Sequence, residues 1–310
     1  MTYPTFFDAR NTLHLFGLNN NFDFLSSLYK EKRLPKVLLF SGNKGIGKST
    51  LTNHLLFSIF DSDNYNSSKY LMKKNSFYKQ FKENIFPNII YIKGSDFQNV
   101  SVEEIRSLKN KINQSTILNK NRFIILDDVE LFNINSLNAL LKMIEEPTNK
   151  NYFILINNKS KPLLETIKSR SLEIKIILDE KTRVNIIENL IDKHNLKPIL
   201  DKITSKLSPG NFIKFDYLCN EHNINLNEDL TKNISFILNL YKKDKDILFI
   251  NMIFFIIDNY LLNRRELKNF NNDNLFKIKE YLFKRINDFI LYNLNHNSLI
   301  NDISNHLKYE

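Results

Sequence analysis

The chain has 310 residues, of which 42% are hydrophobic and 25% are charged. This balance is typical of a folded globular protein and excludes both a disordered chain and a single small module. The formal net charge is +10, from 44 basic and 34 acidic residues. Such an excess favours contact with a polyanion such as nucleic acid, although a solvated lysine-rich surface explains it equally well.

Cys219 is the only cysteine. It can form neither an intrachain disulfide nor a cysteine-rich zinc site, so we expect no zinc and a reducing, cytoplasmic location. Residues 1–15 lack the apolar core and cleavage site of a secretory signal. The most apolar later segment, residues 247–262, is interrupted by Asn251 and Asp258. We interpret it as a buried helix whose apolar run is too short for a membrane span.

The first half of the chain alternates short β-branched runs with helical patterns. The runs show little polar alternation, as expected for parallel strands that are buried on both faces. We therefore predict an α/β domain with a parallel sheet of about five strands. The predicted strands cover residues 37–40, 89–92, 123–126, 153–156 and 174–177.

The helices between these strands have recognisable ends. Ser101 and Glu104 form a capping box, which apolar residues follow at helical spacing. A second helical pattern, over residues 137–144, must stop near Glu146 because Pro147 disfavours helix in the residue before it. Residues 61–86 are polar and lack a clear period, so we predict a surface excursion there.

Helical patterns alone continue beyond about residue 178. The best breaks within this half are at residues 208–210 and 220–229. We therefore predict three domains: a nucleotide-binding domain over residues 1–177, a small helical lid over residues 178–227 and a C-terminal helical domain over residues 228–310.

A phosphate-binding loop follows the first predicted strand. Residues 42–49 match G-x-x-x-x-G-K-[ST], contain three of the six glycines and precede an apolar helical run. Glycines let successive backbone N–H groups face one anion, and the helix N-terminus adds the positive end of its dipole. We expect Lys48 to reach the β- and γ-phosphates and Ser49 to bind Mg²⁺. An ordinary flexible turn is the alternative, but it leaves the concentration of glycines unexplained. The predicted nucleotide-binding residues are Gly42, Asn43, Lys44, Gly45, Ile46, Gly47, Lys48, Ser49 and Thr50.

An acidic pair ends the third predicted strand. At such a position Asp127 can hold Mg²⁺ and Asp128 can orient an attacking water molecule. The alternative is two solvated carboxylates in a loop, and the phosphate-binding loop upstream disfavours it.

From Asp127 onward the chain resembles the subunits of bacterial clamp loaders. Residues 138–147, NALLKMIEEP, resemble the family's N-A-L-L-K-x-[LI]-E-E-P box, and residues 153–171 resemble its F-x-L and L-x-x-T-I-x-S-R-C segments. Residues 15–17, 33–35 and 45–48 are more similar to delta prime subunits than to gamma/tau subunits, and residues 100–106 likewise resemble a segment of delta prime subunits. The specific resemblance covers about the first 175 residues.

The resemblance implies a subunit of the pentameric, ATP-driven assembly that opens the sliding β clamp and leaves it on primed DNA. Its partners would be the gamma/tau and delta subunits, with no membrane involved. The implied architecture is a RecA-like AAA+ P-loop domain, a helical lid and a C-terminal collar, for which residues 247–262 and 282–294 offer apolar stripes. Ordinary packing inside the domain explains these stripes equally well.

The resemblance also assigns roles to two further residues. Arg170 occupies the place of the family's arginine finger, which acts in trans on the nucleotide of a neighbouring subunit. A buried salt bridge within its own domain is the alternative. Asn157 occupies the place of sensor 1, where a polar side chain can touch the γ-phosphate or the attacking water.

Three departures from the family pattern bear on activity. Asp128 stands where active members commonly carry Glu. Because Asp is shorter by one methylene, its carboxylate lies further from the water that it must orient. Gly210 offers no cation where ATPase subunits place the sensor-2 arginine. Ser171 replaces the usual cysteine, and residues 61–86 stand in place of the module with four zinc-binding cysteines. We therefore expect a delta-prime-like subunit that binds ATP and hydrolyses little of it. The alternatives are an autonomous, gamma/tau-like motor ATPase and a nucleic-acid-binding module.

Overall fold

The computed structural model describes residues 3–65, 69–73, 75–94, 101–113, 120–266 and 272–308. The chain divides into two compact units. The N-terminal unit comprises Tyr3–Lys197 and Lys206–Ile213, and the C-terminal unit comprises mainly Pro198–Ser205 and Lys214–Glu310. The division into three domains at residues 177 and 227 stays a prediction.

A five-stranded sheet forms the centre of the N-terminal unit. Its strand order is β2-β3-β4-β1-β5, and each neighbouring pair runs parallel. Strands β1 and β3 are buried along their whole length, which explains their unbroken apolar character. The structure confirms the predicted α/β class, with a parallel sheet in the first half of the chain and, among the described residues, helices alone after β5. The strands are β1 Val37–Ser41, β2 Ile89–Lys93, β3 Arg122–Asp127, β4 Asn151–Asn157 and β5 Leu172–Lys175.

The fifth strand begins two residues earlier than predicted. Leu172 pairs with Leu38, and Lys175 pairs with Ser41, so β5 ends before Ile177, which is 80% exposed. The predicted bounds, residues 174–177, are therefore wrong by two residues at each end. Because β5 is an edge strand with one partner, its position is decided by pairing with β1 and not by its own apolar run.

Two hydrophobic cores cover the two faces of the sheet. Alternate residues of β1 belong to different cores, as the twofold period of a strand requires: Leu38 and Phe40 face one, Val37 and Leu39 the other. The first core includes residues of α1, α2 and α3, and the second includes residues of α4, α5 and α6. The helices are α1 Asn19–Lys30, α2 Lys48–Phe60, α3 Ser76–Lys82, α4 Val102–Asn113, α5 Ile134–Glu145, α6 Glu165–Lys168, α7 Glu180–His194 and α8 Pro209–His222, the last of which begins in this unit.

Two predicted helix ends are confirmed. At the start of α4, the Ser101 backbone N–H donates to Glu104 Oε2 at 2.7 Å, and the Glu104 N–H donates to Ser101 Oγ at 3.2 Å. These are the two reciprocal bonds of a capping box. Helix α5 ends at Glu145, two residues before Pro147.

The predicted surface excursion over residues 61–86 contains a packed helix instead. In α3, Phe77, Tyr78 and Phe81 are buried, and the rings of Phe77 and Phe81 lie 4.7 and 5.2 Å from that of Phe57. The prediction is wrong here because a helix of two turns offers too little periodicity, and the surrounding Lys and Asn residues obscure its aromatic i, i+4 pair. Residues 66–68 and 74 lie outside the described residues.

Four helices dominate the C-terminal unit: α9 Leu230–Asp244, α10 Ile247–Glu266, α11 Asn272–Tyr292 and α12 His296–Lys308. Helices α9 and α11 each pack against both α10 and α12. Because each helix contacts two others, their apolar stripes enclose one core. Its fully buried side chains include Ile234, Ile237, Leu238, Phe249, Ile253, Ile257, Ile278, Leu282, Ile286 and Ile303.

Helix α10 is longer and more apolar than its sequence interruptions suggested. Residues Ile247–Arg265 include an 18-residue window that is long and apolar enough to cross a membrane. The expectation that this run is too short is therefore wrong by length and composition. The structure nevertheless buries 44% of that window, including Phe249, Ile253 and Ile257. A core helix passes the same test, and the packing of α10 among α9 and α11 accounts for its hydrophobicity.

Candidate nucleotide-binding site

The phosphate-binding loop connects β1 to α2, as predicted. Gly45 and Gly47 have φ angles of +85° and +100°, in the left-handed region that favours glycine. Gly47 immediately precedes Lys48, the first residue of α2. The loop therefore meets the N-terminus of a 13-residue helix, where free N–H groups and the helix dipole attract anions. Of the other predicted loop residues, Ile46 is buried, Asn43 is exposed and Thr50 is half-buried.

Lys48 lies inside the loop and is only 3% exposed. Its Nζ donates hydrogen bonds to the carbonyl oxygens of Gly42 at 2.7 Å and Asn43 at 2.8 Å. Burial lowers the pKa of Lys48 to about 8, against the attraction of nearby carboxylates, of which Asp127 is the strongest. An amine held only by neutral carbonyls in a buried site is suited to an anion.

Ser49 and Asp127 lie side by side, as a shared Mg²⁺ requires. The Ser49 hydroxyl donates to Asp127 Oδ2 at 3.1 Å, and the Tyr91 hydroxyl donates to the same oxygen at 2.6 Å. Burial and the Asp127 carboxylate raise the pKa of Tyr91 well above its ordinary value, so the phenol stays a donor. Tyr91, on β2, thus fixes the carboxylate of the neighbouring strand.

Asp128 turns away from the strand end and is almost completely buried. Its φ of +53° is in the left-handed region, which Asp tolerates better than most residues. Its Oδ1 accepts a hydrogen bond from Asn158 Nδ2 at 2.7 Å and lies 3.7 Å from Lys44 Nζ. Asp128 is therefore engaged by an amide and by a second lysine of the phosphate-binding loop.

Two consecutive asparagines end β4, and the structure gives them different surroundings. The Asn157 backbone carbonyl accepts from the Gly42 N–H at 3.2 Å, while its side chain accepts from the Lys159 N–H at 2.9 Å. The Asn158 amide lies against both aspartates, at 2.7 Å from Asp128 and 3.4 Å from Asp127. The side chain that reaches the carboxylates is thus that of Asn158, not that of the predicted Asn157.

Glu130 holds the segment that carries Asn158. It is 4% exposed, and its Oε1 accepts from the backbone N–H groups of Asn158 and Ser160 at 2.9 and 3.2 Å and from the Ser160 hydroxyl at 2.8 Å. The sequence analysis missed Glu130, Asn158 and Tyr91. A charged residue between the apolar Val129 and Leu131 was the available signal for Glu130.

The segment that begins α8 packs directly on the phosphate-binding loop. The Gly210 N–H donates to the Gly45 carbonyl at 2.8 Å, and the Ser208 hydroxyl donates to the Lys44 carbonyl at 2.6 Å. A Cβ at position 210 would lie 3.0–3.1 Å from the Gly45 backbone. The place predicted for a sensor-2 arginine is therefore occupied by close backbone contact, and Gly210 suits that contact because it has no side chain.

Arg170 lies just after α6 and is not part of this network. Its Nε is 2.7 Å from Glu145 Oε1, and one terminal nitrogen donates to the Thr166 carbonyl at 3.1 Å. The Arg170 and Glu145 side chains are 37% and 45% exposed. The ion pair is thus a surface pair and not the buried salt bridge considered as the alternative to a finger.

The residues at the ends of β1 and β3 fit a magnesium-bound nucleotide. Glycines with left-handed backbone angles shape the loop, and the Lys48 amine donates its hydrogen bonds to backbone carbonyls. The Ser49 hydroxyl and the Asp127 carboxylate lie next to each other. Within the described residues, no group of three or more His, Cys, Asp or Glu side chains is arranged to hold a metal by itself.

The sequence that forms this site matches a known protein family. Residues 17–179, just over half of the chain, match the family model described as DNA polymerase III, delta subunit. The chain belongs to this family. The matched region contains all five strands, both ends of the phosphate-binding loop and Arg170.

Two proteins with similar sequences are subunits of DNA polymerase III. The chain is 30% identical over 198 residues to DNA polymerase III subunit delta' of Buchnera aphidicola subsp. Schizaphis graminum, covering 61% of this chain and 60% of that one. It is 26% identical over 211 residues to the gamma subunit of the same organism, covering 65% and 57%. The chain thus spans less than two thirds of the length of these relatives.

A DNA polymerase III gamma subunit-related protein from Thermotoga maritima superposes with a TM-score of 0.49 and 16% identity, over 91% of this chain and 96% of the other.

Proposed function

We propose that this family member is a delta-prime-like subunit of the DNA polymerase III clamp loader. It would act in the cytoplasm with gamma/tau and delta subunits in a pentamer that places the sliding β clamp on primed DNA. Family membership supports the assembly, and the observation that carries ATP binding is the convergence of Lys48, Ser49 and Asp127 at the end of a glycine-shaped loop.

In this proposal each site residue has a distinct task. Lys48 neutralises the phosphates, while Ser49 and Asp127 hold Mg²⁺, which supplies positive charge at the phosphate oxygens when it is bound. Tyr91 orients Asp127 from the neighbouring strand. Asn158 takes the sensor-1 role expected of Asn157, because its amide lies between the two aspartates.

Hydrolysis by this subunit alone is expected to be weak. Asp128 is one methylene shorter than Glu and already accepts from Asn158, so a water molecule must compete for its carboxylate. Gly210 adds no cation from the α8 segment. Both features reduce charge stabilisation and water activation at the γ-phosphate.

Arg170 is proposed to act on the nucleotide of a neighbouring subunit. Its guanidinium is partly exposed and is held by the exposed Glu145, and surface pairs of this kind contribute about 0–1 kcal/mol. Breaking the pair with Glu145 so that Arg170 can contact a phosphate on another subunit therefore costs little free energy. An arginine in this role contributes about 10³-fold or more to hydrolysis in related phosphoryl-transfer systems.

The Arg170→Ala variant tests this role in the assembled loader. We expect unchanged nucleotide affinity of the purified variant and a loss of at least about tenfold in the DNA-stimulated ATPase of the complex. Arg33→Ala is the matched control, because Arg33 is also exposed and paired with a nearby glutamate, Glu31. Equal ATPase rates for wild type and Arg170→Ala in a fully assembled complex would contradict the finger.

A gamma/tau-like motor subunit is the second candidate. The complete set of Lys48, Ser49 and Asp127, together with 26% identity to a gamma subunit, favours it. ATP turnover by the purified chain separates the two proposals. Steady hydrolysis without partners supports the motor, whereas binding without turnover supports the delta-prime-like subunit.

A further inference from the structure

The phosphate-binding loop contains a second lysine that is not required by its motif. Lys44 lies four residues before Lys48, and its Nζ is 3.7 Å from Asp128 Oδ1. The Lys44 side chain is 42% exposed, while that of Asp128 is 2% exposed. The pair therefore joins a half-exposed cation at the loop surface to a carboxylate that is almost completely shielded from water.

Charge explains why Asp128 holds this lysine. Asp127, Asp128 and Glu130 all act on Lys48, so three carboxylates share the region with two loop lysines. Lys48 itself donates to loop carbonyls. A buried carboxylate is costly without a charged or hydrogen-bonding partner, and Lys44 is the cation that pairs with Asp128 among the described residues.

The backbone at Lys44 is held by hydrogen bonds, whereas its side chain is 42% exposed and makes one ion pair. The Lys44 carbonyl accepts from the Ser208 hydroxyl at 2.6 Å, and the next carbonyl, of Gly45, accepts from the Gly210 N–H at 2.8 Å. A change of partner by the Lys44 amine therefore needs only rotation about side-chain bonds. Half-exposed lysines make such rotations readily, because the amine stays hydrated.

We propose that Lys44 makes the site selective for nucleoside triphosphates over diphosphates by exchanging the Asp128 carboxylate for the terminal phosphate. The exchange frees Asp128 only when the third phosphate is present. A diphosphate offers no competing charge at that end of the loop and leaves the Lys44–Asp128 pair intact. This inference rests on the proposed nucleotide binding and adds a determinant of specificity to it.

Calorimetric titration of the full-length chain with Mg²⁺–ATPγS and with Mg²⁺–ADP tests the exchange. Lys44→Met should weaken ATPγS binding by about five- to tenfold, the loss of one charge-assisted contact, and leave ADP binding within about twofold. Asp128→Asn should increase the preference for ATPγS over ADP, because Lys44 then has no carboxylate to leave. The double variant should behave like Lys44→Met, and Lys44→Arg should keep most of the preference.

Lys161→Met, at an exposed lysine in the loop after β4, is the matched control and should change neither affinity. Equal losses for both nucleotides in Lys44→Met, or no change in either, would overturn the inference and leave the proposed function standing. If the wild-type chain binds neither nucleotide, ATP binding and this inference both fail. An unchanged preference for ATPγS over ADP in Asp128→Asn would also overturn the proposed exchange.

Discussion

The nucleotide-binding edge of the sheet and the core of the four C-terminal helices are stabilised in different ways. At the sheet edge, buried polar groups from several distant segments bond to one another, as Ser49, Tyr91 and Asn158 do around the two aspartates. The C-terminal core is built from fully buried apolar side chains such as Phe249 and Ile286. Directional contacts specify the first region, and non-directional burial specifies the second. Substitutions at the sheet edge should therefore affect nucleotide binding, whereas substitutions in the C-terminal core should affect stability alone.

The largest expected effect is on the stability of the C-terminal core. Phe249→Ala removes a ring that is fully buried in α10 and should lower the free energy of unfolding of that unit by about 3–5 kcal/mol. Because Phe249 belongs to the C-terminal unit and the site residues belong to the N-terminal unit, the affinity for ATP should stay within about twofold. Chemical denaturation and calorimetry measure the two quantities.

Phe276→Ala in α11 is the matched control, since that ring is 67% exposed and its loss should change stability by less than about 0.5 kcal/mol. A large fall in the ATP affinity of Phe249→Ala, with the N-terminal unit still folded, would contradict the assignment of this core to stability alone.

Glu130→Ala should affect stability and binding together. Its Oε1 accepts three hydrogen bonds from Asn158 and Ser160, and the variant leaves these donors without their acceptor. We expect a loss of about 2–4 kcal/mol in the free energy of unfolding and weaker ATP binding, because Asn158 is no longer held against the aspartates. Glu130→Gln keeps an acceptor oxygen and should lose less than half as much. Equal effects of Ala and Gln would show that the hydrogen bonds are not the cause.

The smallest effect expected is a proton uptake that depends on pH. Burial lowers the pKa of Lys48 to about 8, so about half of the free protein carries a neutral amine at pH 8. Phosphate favours the charged amine, and ATP binding should therefore take up about half a proton at pH 8 and about a tenth at pH 7. Affinity should fall as pH rises above 8.

Calorimetry in buffers of different ionisation enthalpy measures this uptake. Lys48→Met should lose about 100-fold or more in affinity, since it removes the buried cation. The same shift affects folding: a lysine with a lowered pKa in the folded state binds fewer protons there than when unfolded. Its contribution to stability therefore increases between pH 8 and its ordinary value near 10.5. No buffer dependence at pH 8 would contradict the assignment of a lowered pKa to Lys48.

Local signals in the sequence determined much of the N-terminal unit. Unbroken β-branched runs located four of the five strands, Ser101 and Glu104 located the start of α4, and the glycine pattern located the loop at residues 42–49. These features depend on the backbone preferences and hydrogen bonds of residues close in sequence, so they can be predicted without the fold.

Tertiary structure alone decided which side chains meet. Successive side chains at the end of a strand point in opposite directions, so one residue separates Asn158, which reaches the aspartates, from Asn157, which does not. The contacts of Lys44 with Asp128, and of Gly45 with Gly210, join residues more than eighty positions apart. No local pattern records such contacts, because they form only when parallel strands align their carboxyl ends beside the loop and α8 packs on it.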